Sequence, residues 1–173
     1  GGANFSIRYK DFDFSSLIDA KIGGDVHSMT YTWGRLAGTL AETLRGRETG
    51  IVGNGVMSDG NGGFVANNVV VSAKSFNQAS YSNNIESSSV FDASYVKLRQ
   101  VSIGYTLPQK FIEKSILKSL KFSIVGRNLA ILYKNAPHID PETGFSSSNR
   151  NQGQEFGQSP SARNIGFNIN MRF

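Results

Sequence analysis

The end of the chain alternates strictly between apolar and polar residues. Ile165, Phe167, Ile169, Met171 and Phe173 are apolar at every second position, and small or polar residues lie between them. Successive side chains of a strand point to opposite sides, so this period of two predicts a strand with one apolar face. Its length suits a tilted strand that crosses a bilayer, which needs about 9–11 residues. The alternative is an amphipathic strand of a soluble sandwich, whose apolar face covers a core.

Four earlier segments repeat this alternation. Apolar residues recur at about every second position near 3–9, within 12–23, and over about 95–107 and 120–132. Proline has no amide N–H for a ladder, so the proline that follows residue 107 ends the third segment. Together with the last strand over 163–173, the sequence predicts an all-β, antiparallel fold.

The composition excludes several classes of protein. Only 39% of the residues are apolar, and no run of about 18 apolar residues provides a transmembrane helix. The absence of cysteine excludes a disulfide framework and a thiolate metal site. The net charge of +5 comes from scattered Lys and Arg residues without a basic run, which argues against nucleic acid as a partner.

The connections between the five segments alternate between short and long. Lys10-Asp11 and residues 108–119 are short links, whereas residues 24–94 and 133–162 are long. Bacterial barrels have short periplasmic turns and longer extracellular loops. We therefore expect the two long segments to be outside loops and Phe173 to lie on the periplasmic side.

The first long loop carries local signals of its own. Leucines at four-residue spacing predict a short helix near Trp33 to Leu44. Val69-Val70-Val71 predicts a strand extension, and a glycine-rich stretch covers Gly53 to Gly63. At the start of the chain, Gly1-Gly2-Ala3 leads straight into alternation without a signal peptide. We therefore expect the chain to begin inside a larger structure.

Two glycine-containing motifs invite a ligand. Gly53-Asn54-Gly55 lacks the preceding strand, the following helix and the Lys-Ser/Thr of a phosphate-binding loop, which favours a turn. Asp59, Asn61 and Gly63 are similar to the start of a calcium loop. Gly at its sixth place and Glu at its twelfth are missing. The sequence leaves open whether an outside loop binds calcium.

Catalysis has little support in the sequence. His138, Asp140 and Glu142 lie two residues apart and offer metal ligands, but Asp140-Pro141 more simply begins a turn. His27 has no obvious partner, and no Ser/His/Asp arrangement is apparent. We expect no enzyme activity, no cofactor and no catalytic or metal site.

Aromatic residues of the outside loops are a candidate substrate contact. Trp33, Phe145 and Phe156 fall among Asn, Gln and Ser residues, and rings beside amides are what a sugar or peptide site uses. Packing within the loops, or an aromatic belt at the membrane interface, is the simpler interpretation.

Several blocks resemble one known family. Asp92 to Pro108 (DASYVKLRQVSIGYTLP) resembles the penultimate hairpin of SusC/RagA-type, TonB-linked outer-membrane proteins of Bacteroidota. Gly126-Arg127-Asn128-Leu129 and Ile139 to Gly144 (IDPETG) resemble parts that follow it. Thr43 to Val56 is similar to a stretch of that family's long loop, and Ser159 to Phe173 fits its ending. The blocks occur in the family's order and cover essentially the whole chain.

The resemblance implies a function. The family fold is a plugged barrel of about 22 strands, so the chain would be its last five strands. A SusD-like surface lipoprotein caps such a barrel, and TonB pulls on its N-terminal part to import oligosaccharides or peptides. The rest of the barrel, its plug, outer-membrane lipid and the barrel-assembly machinery are the other implied partners. A barrel of another class, such as a siderophore receptor or a porin, and a soluble carbohydrate-binding β-sandwich remain alternatives.

Two predictions follow for individual side chains. We expect nine apolar residues to face lipid and to be exposed in the isolated chain: Phe5, Phe12, Phe14, Ile103, Tyr105, Phe122, Ile124, Phe167 and Ile169. The alternation that ends on the aromatic ring of Phe173 resembles the signal by which the barrel-assembly machinery recognises its clients. Ile165, Phe167, Ile169, Met171 and Phe173 are therefore the hypothetical assembly signal.

Overall fold

A computed structural model describes residues 1–144 and 152–173 of the chain. Its strands, in chain order, are β1 (Gly2–Tyr9), β2 (Phe12–Lys21), β3 (Asp25–Ser28), β4 (Ile51–Val52), β5 (Val56–Ser58), β6 (Phe64–Ala66), β7 (Val70–Val71), β8 (Val90–Asp92), β9 (Tyr95–Thr106), β10 (Ser119–Lys134), β11 (Gln154–Glu155) and β12 (Asn164–Arg172). The helices are α1 (Met29–Ala37) and α2 (Ala73–Ser82), with 3-10 turns at Ala41–Leu44, Glu86–Ser89 and Gln109–Phe111. None of the helices in these residues is both long and apolar enough to cross a membrane.

The chain divides into two compact units. The sheet unit comprises Gly1–Asp25, Asp92–Thr143 and Ser159–Phe173, and the loop unit comprises Val26–Phe91 and Gly144–Gln158. The sheet unit holds one five-stranded sheet in the order β1-β2-β9-β10-β12. All of its neighbouring pairs are antiparallel. This arrangement confirms the predicted all-β, antiparallel fold class.

One face of this sheet is apolar from edge to edge. Ile7 lies opposite Phe14, which lies opposite Ile103. Ile103 lies opposite Ile124, which in turn lies opposite Phe167. Opposed residues of antiparallel strands project to the same side, so one row of apolar side chains crosses all five strands.

The other face is polar in the same way. Arg8 lies opposite Asp13, which lies opposite Gly104. Gly104 lies opposite Ser123, and Ser123 lies opposite Asn168. The period of two that the sequence shows is therefore a division of the whole sheet into an apolar and a polar side.

The apolar face is not sealed into a core. Seven of the nine residues expected to face lipid are exposed, and Phe167 reaches 81%. Phe14 and Tyr105 are half-buried, because Phe14 packs on Phe5 and Tyr105 packs on Phe12, with ring centres 6.3 and 4.7 Å apart. The predicted exposure is thus confirmed for seven of the nine positions, while their contact with lipid stays a prediction.

The strands end where the backbone changes conformation. β2 stops at Lys21, short of residue 23, because Gly23 and Gly24 take positive φ angles of 80° and 82°. Such angles leave the extended region and suit glycine. β10 continues to Lys134, past residue 132, by way of two irregularities in its pairing with β9.

The helix expected near Trp33 to Leu44 is wrong as a single element. α1 ends at Ala37, because Gly38 adopts a left-handed φ of 73° and caps the helix. Leu40 then folds back onto Gly34, where an added Cβ would lie 2.7 Å from the Leu40 side chain. Leucines four residues apart thus reflect a helix followed by a tight return.

The valine segment forms a short strand of the loop unit, because Val70–Val71 pairs with Ile51–Val52 in a separate ladder.

Candidate functional site

Charged residues gather on the polar face of the sheet, near the ends of β2 and β9. Lys97 lies opposite Asp19 in the β2–β9 ladder, next to an irregularity at Arg99. Arg99 donates to the Asp19 carboxylate through Nε and Nη2, at 3.0 and 2.7 Å. Its Nη1 donates to Glu142 Oε2 at 2.6 Å, and its Nη2 to the other Glu142 oxygen. We call Asp19, Lys97, Arg99, Asp140 and Glu142 the charged clasp.

Asp140 is the buried centre of the clasp. The side chains of Lys97 and Asp140 are only 3% and 1% exposed. Lys97 Nζ lies 2.5 Å from Asp140 Oδ1 and 2.7 Å from Glu142 Oε2. Ser161 donates its hydroxyl to Asp140 Oδ2, and the Glu142 backbone N–H donates to Oδ1. Each charge therefore has a partner, which removes most of the cost of burying it.

These contacts set the protonation state of the Asp140 and Glu142 carboxyl groups. Burial by itself raises the pKa of Asp140, but the hydrogen bonds from Lys97 and Ser161 outweigh burial and hold that pKa at about 2. The Arg99 guanidinium likewise lowers the pKa of Glu142 below its ordinary range. Both carboxylates are therefore ionised at neutral pH.

The two carboxylates named as candidate metal ligands, Asp140 and Glu142, lie in the clasp. Asp140 and Glu142 pair with the cations of β9, and the Thr143 N–H donates to the Asp140 carbonyl at 3.0 Å, as in a turn. Residues 1–144 and 152–173 contain no group of three or more His, Cys, Asp or Glu residues placed to hold a metal ion. The segment therefore works as an anchored turn on the sheet.

A second ion pair crosses β9 at a glycine. Lys121 Nζ of β10 lies 2.6 Å from Asp13 Oδ1 of β2. The geometry does not align for a directed hydrogen bond, so the contact is one of charge. A Cβ on Gly104, between these two strands, would lie 2.6 Å from both side chains. The missing side chain at Gly104 is what allows the pair to form.

The Gly126-Arg127-Asn128-Leu129 block is an irregularity in β10. The pairing with β9 shifts between Arg127 and Ala130, and Asn128 takes a positive φ of 51°. Leu129 folds onto Gly126, where a Cβ would lie 2.6 Å from its side chain. Asn is among the few residues that tolerate such a backbone, and β-bulges re-aim the chain.

In the loop unit, a buried carboxylate holds the start of α1. Glu155 is 1% exposed and accepts hydrogen bonds from Ser28 Oγ at 2.7 Å and Thr30 Oγ1 at 2.6 Å. The backbone N–H groups of Thr30 and Gly157 also donate to it. Burial raises the pKa of Glu155, but these donors outweigh burial and lower it overall. A negative charge at a helix N-terminus is favourable.

The aromatic candidates of the loops are partly brought together. The rings of Trp33 and Phe156 meet edge to face with centres 4.9 Å apart, and both side chains stay partly exposed. Gly157 packs against Trp33, where a Cβ would lie 3.3 Å from the ring. Phe145 lies outside the described residues. The pair thus supports the packing interpretation and leaves ring edges accessible.

The glycine motifs lie in turns. Asp59 accepts backbone hydrogen bonds from Asn61 and Gly63, each at 2.8 Å, and so closes the hairpin between β5 and β6. These bonds, from Asn61 first, lower the pKa of Asp59. The Gly53 carbonyl accepts from Asn67 Nδ2 at 2.8 Å. Both backbone bonds to Asp59 use its Oδ1 and lie within the hairpin.

Sequence reasoning missed the pairing partners of both buried carboxylates. Lys97 and Arg99 lie in the block from Asp92 to Pro108, but no sequence pattern indicates that they pair with Asp140. The available signal was two basic residues two places apart on one strand. Charged side chains are rarely buried unless they are paired, so such cations need anions nearby. Glu155 gave no local signal at all.

Known proteins resemble this chain in sequence and in fold. No family model matches the chain. The chain is 28% identical over 177 residues to the TonB-dependent receptor P3 of Formosa agariphila, covering 99% of the chain and 16% of that receptor. A structure of the RagAB peptide transporter superposes with a TM-score of 0.61 over 98% of the chain, at 14% identity. The chain is similar in sequence to part of a TonB-dependent receptor and similar in fold to part of the RagAB structure.

A second structure supports the same fold. The RagAB peptide importer in its closed-closed state superposes with a TM-score of 0.62 over 99% of the chain, at 14% identity. The chain spans 16% to 17% of the length of these proteins, so its five strands correspond to part of a larger barrel. By name, these relatives are a receptor, a transporter and an importer.

Proposed function

We propose that this SusC/RagA-like chain is part of an outer-membrane, TonB-dependent importer of peptides or oligosaccharides. The observation that carries the proposal is the division of its sheet into one apolar and one polar side. The row from Ile7 to Phe167 turns only apolar groups outward, whereas the row from Arg8 to Asn168 is polar. A barrel strand in a membrane needs this pattern, with lipid on one side and a wet lumen on the other.

The open sheet requires the rest of a barrel. β1 and β12 form its two edges, and each edge carries unpaired backbone groups. Unpaired groups in hydrocarbon cost several kcal/mol each by general estimate, about the cost of burying a lone amide. We therefore infer that both edges pair with further strands of the same barrel and that a plug fills the lumen. A soluble sandwich is disfavoured, because the apolar side chains of this sheet are exposed.

The cargo and partners extend the proposal. The related structures are described as a peptide transporter and a peptide importer, which favours peptides over oligosaccharides as the cargo. The working partners of this receptor are a SusD-like surface lipoprotein and TonB, and its location is the outer membrane of a Bacteroidota-like cell. The receptor from Formosa agariphila supports that location.

Uptake by whole cells tests the proposed function. Deleting the gene of the full-length receptor should abolish uptake of labelled short peptides, and restoring it should recover uptake. Removing TonB from cells that keep the receptor should stop uptake while surface binding persists. Uptake that continues without TonB would indicate a porin, and loss of iron-siderophore uptake alone would indicate a siderophore receptor.

A further inference from the structure

A cavity lies in the loop unit between α1, α2 and the 3-10 turn Glu86–Ser89. It holds about 490 Å³ of free space with its open mouth included. Hydroxyl and amide side chains form much of its wall, namely Thr32, Asn77, Ser80, Asn84 and Ser89. Met29 and Ile85 are among the apolar residues that complete the wall, so its mixed lining suits a ligand with polar groups and small apolar side chains.

Two opposite charges also line the cavity. Arg35 of α1 donates weakly to Ser80 Oγ at 3.4 Å, and its guanidinium lies 5.8 Å from the centre of the Tyr31 ring. Within the part of the chain that the structure describes, no ion pair involves Arg35. Glu86 supplies the negative charge. A guanidinium fork matches a carboxylate with two parallel hydrogen bonds.

The wall is held in place by contacts away from the cavity. Ser28 caps α1 by accepting from the Tyr31 N–H, and Glu155 fixes Ser28 in turn. On the facing helix, Asn77 donates its Nδ2 to the Ala73 carbonyl at 2.8 Å. That bond orients the Asn77 side chain and leaves its Oδ1 without a hydrogen-bond partner among the described residues. Groups positioned in advance lose little entropy on binding.

We propose that this cavity binds a short zwitterionic peptide, with Arg35 at its terminal carboxylate and Glu86 at its ammonium group. Asn77 and Asn84 match the peptide amides, which need both donors and acceptors. A neutral sugar would leave Arg35 and Glu86 without a charged partner, whereas the two ends of a zwitterionic peptide match them. The inference rests on the proposed function and names the cargo of that function more narrowly.

The experiment measures peptide binding to the purified full-length receptor by calorimetry. Trialanine and its C-terminal amide serve as probes, because they differ only in the terminal charge. Amidation should weaken binding to the wild-type receptor about tenfold, the loss expected for one charge-assisted hydrogen bond. Arg35→Gln should weaken trialanine binding to the same extent and leave binding of the amide unchanged. Arg45→Gln is the matched control, because Arg45 is exposed and does not line the cavity.

A second variant and a second probe give a test that does not depend on the folding of Arg35→Gln. Glu86→Gln should weaken trialanine binding and leave binding of N-acetyl-trialanine unchanged. Trialanine and its amide binding equally well to the wild type, or Arg35→Gln binding trialanine normally, would overturn the cavity assignment while the import function stands. No binding of any peptide form by the wild type would overturn both. Arg35-dependent binding of a galacturonate trimer without peptide binding would also overturn the assignment and indicate an acidic glycan.

Discussion

Single residues decide whether the buried charges of the sheet unit are tolerated. Asp140 is nearly inaccessible, and its carboxylate accepts side-chain hydrogen bonds from Lys97 and Ser161. Removing one partner of a buried pair costs more than the pair gains, because an uncompensated group stays behind. The clasp is therefore sensitive to the loss of any one member.

Asp140→Asn should lower the free energy of unfolding by about 3–5 kcal/mol at neutral pH. The folded-state pKa of Asp140, about 2, lies below the ordinary value of about 3.9. The stabilisation from its charge is therefore complete above the ordinary value and is lost as the pH falls through 2. Chemical denaturation of the full-length receptor at pH 7 and pH 2 measures both effects.

The control is Asp25→Asn, which changes an exposed carboxylate of the same unit. This substitution should change the free energy of unfolding little at pH 7 and at pH 2. A gap between wild type and Asp140→Asn that stays constant down to pH 2 would show that the charge of Asp140 does not stabilise the fold.

Gly104→Ala should separate Asp13 from Lys121. The added methyl group would lie 2.6 Å from both side chains, and such overpacking costs about 1–3 kcal/mol. Gly166→Ala is a matched control on the same polar face, because nothing lies within 4 Å of its Cβ position. Thermal unfolding of the two variants gives the comparison. Equal stability of both variants would contradict the role assigned to Gly104.

At the scale of elements, the alternation of apolar and polar residues in the last strand places neighbouring residues on opposite sides of the sheet. In β12, Phe167 lies opposite Ile124 and the next residue, Asn168, lies opposite Ser123. Neighbouring residues of one strand thus belong to the apolar and the polar side of the sheet. The pleat of the strand gives this separation without further instruction.

Phe167→Arg should destabilise the assembled barrel by about 2–4 kcal/mol if the position lies near the middle of the bilayer. Asn168→Arg should cost much less, because that side chain lies on the polar face. Unfolding of the full-length receptor refolded into lipid vesicles distinguishes the two. A larger effect for Asn168→Arg would reverse the assigned faces.

At the scale of the whole molecule, the loop unit has ladders of its own. The β5–β6 hairpin pairs only Val56–Ser58 with Phe64–Ala66, and neither strand belongs to the five-stranded sheet. Deleting Gly53 to Gly63 should therefore weaken co-purification of a SusD-like lipoprotein and leave the heat-modifiable migration of the barrel on gels intact. Loss of the folded barrel in the deletion would refute this division of roles.

The assembly hypothesis for Ile165, Phe167, Ile169, Met171 and Phe173 stays a prediction. Phe173→Ala in the full-length receptor should lower its surface level, because the last strand must pair early during assembly. The thermal stability of the finished barrel should change little. Phe111→Ala is a matched control, since Phe111 and Phe173 are 65% and 64% exposed. Surface levels that fall equally in both variants would contradict a specific signal.

The sequence by itself determined the all-β, antiparallel class and the alternation of sides along the regular parts of the strands. Alternation from Ile165 to Phe173 is a local property, because the pleat converts spacing directly into direction. The resemblance carried by Asp92 to Pro108 added the family. The turn at Asp140-Pro141 was also readable, since proline restricts the residue before it.

Only the tertiary structure decided what the charged and glycine positions do. Lys97 and Asp140 are 43 residues apart in the chain, and Ser28 and Glu155 are 127 apart. Long-range pairs of this kind follow from the path of the folded chain, and spacing along the sequence carries no record of that path. The role of Gly104 depends on side chains from two other strands, so it became visible only when β2, β9 and β10 were placed side by side.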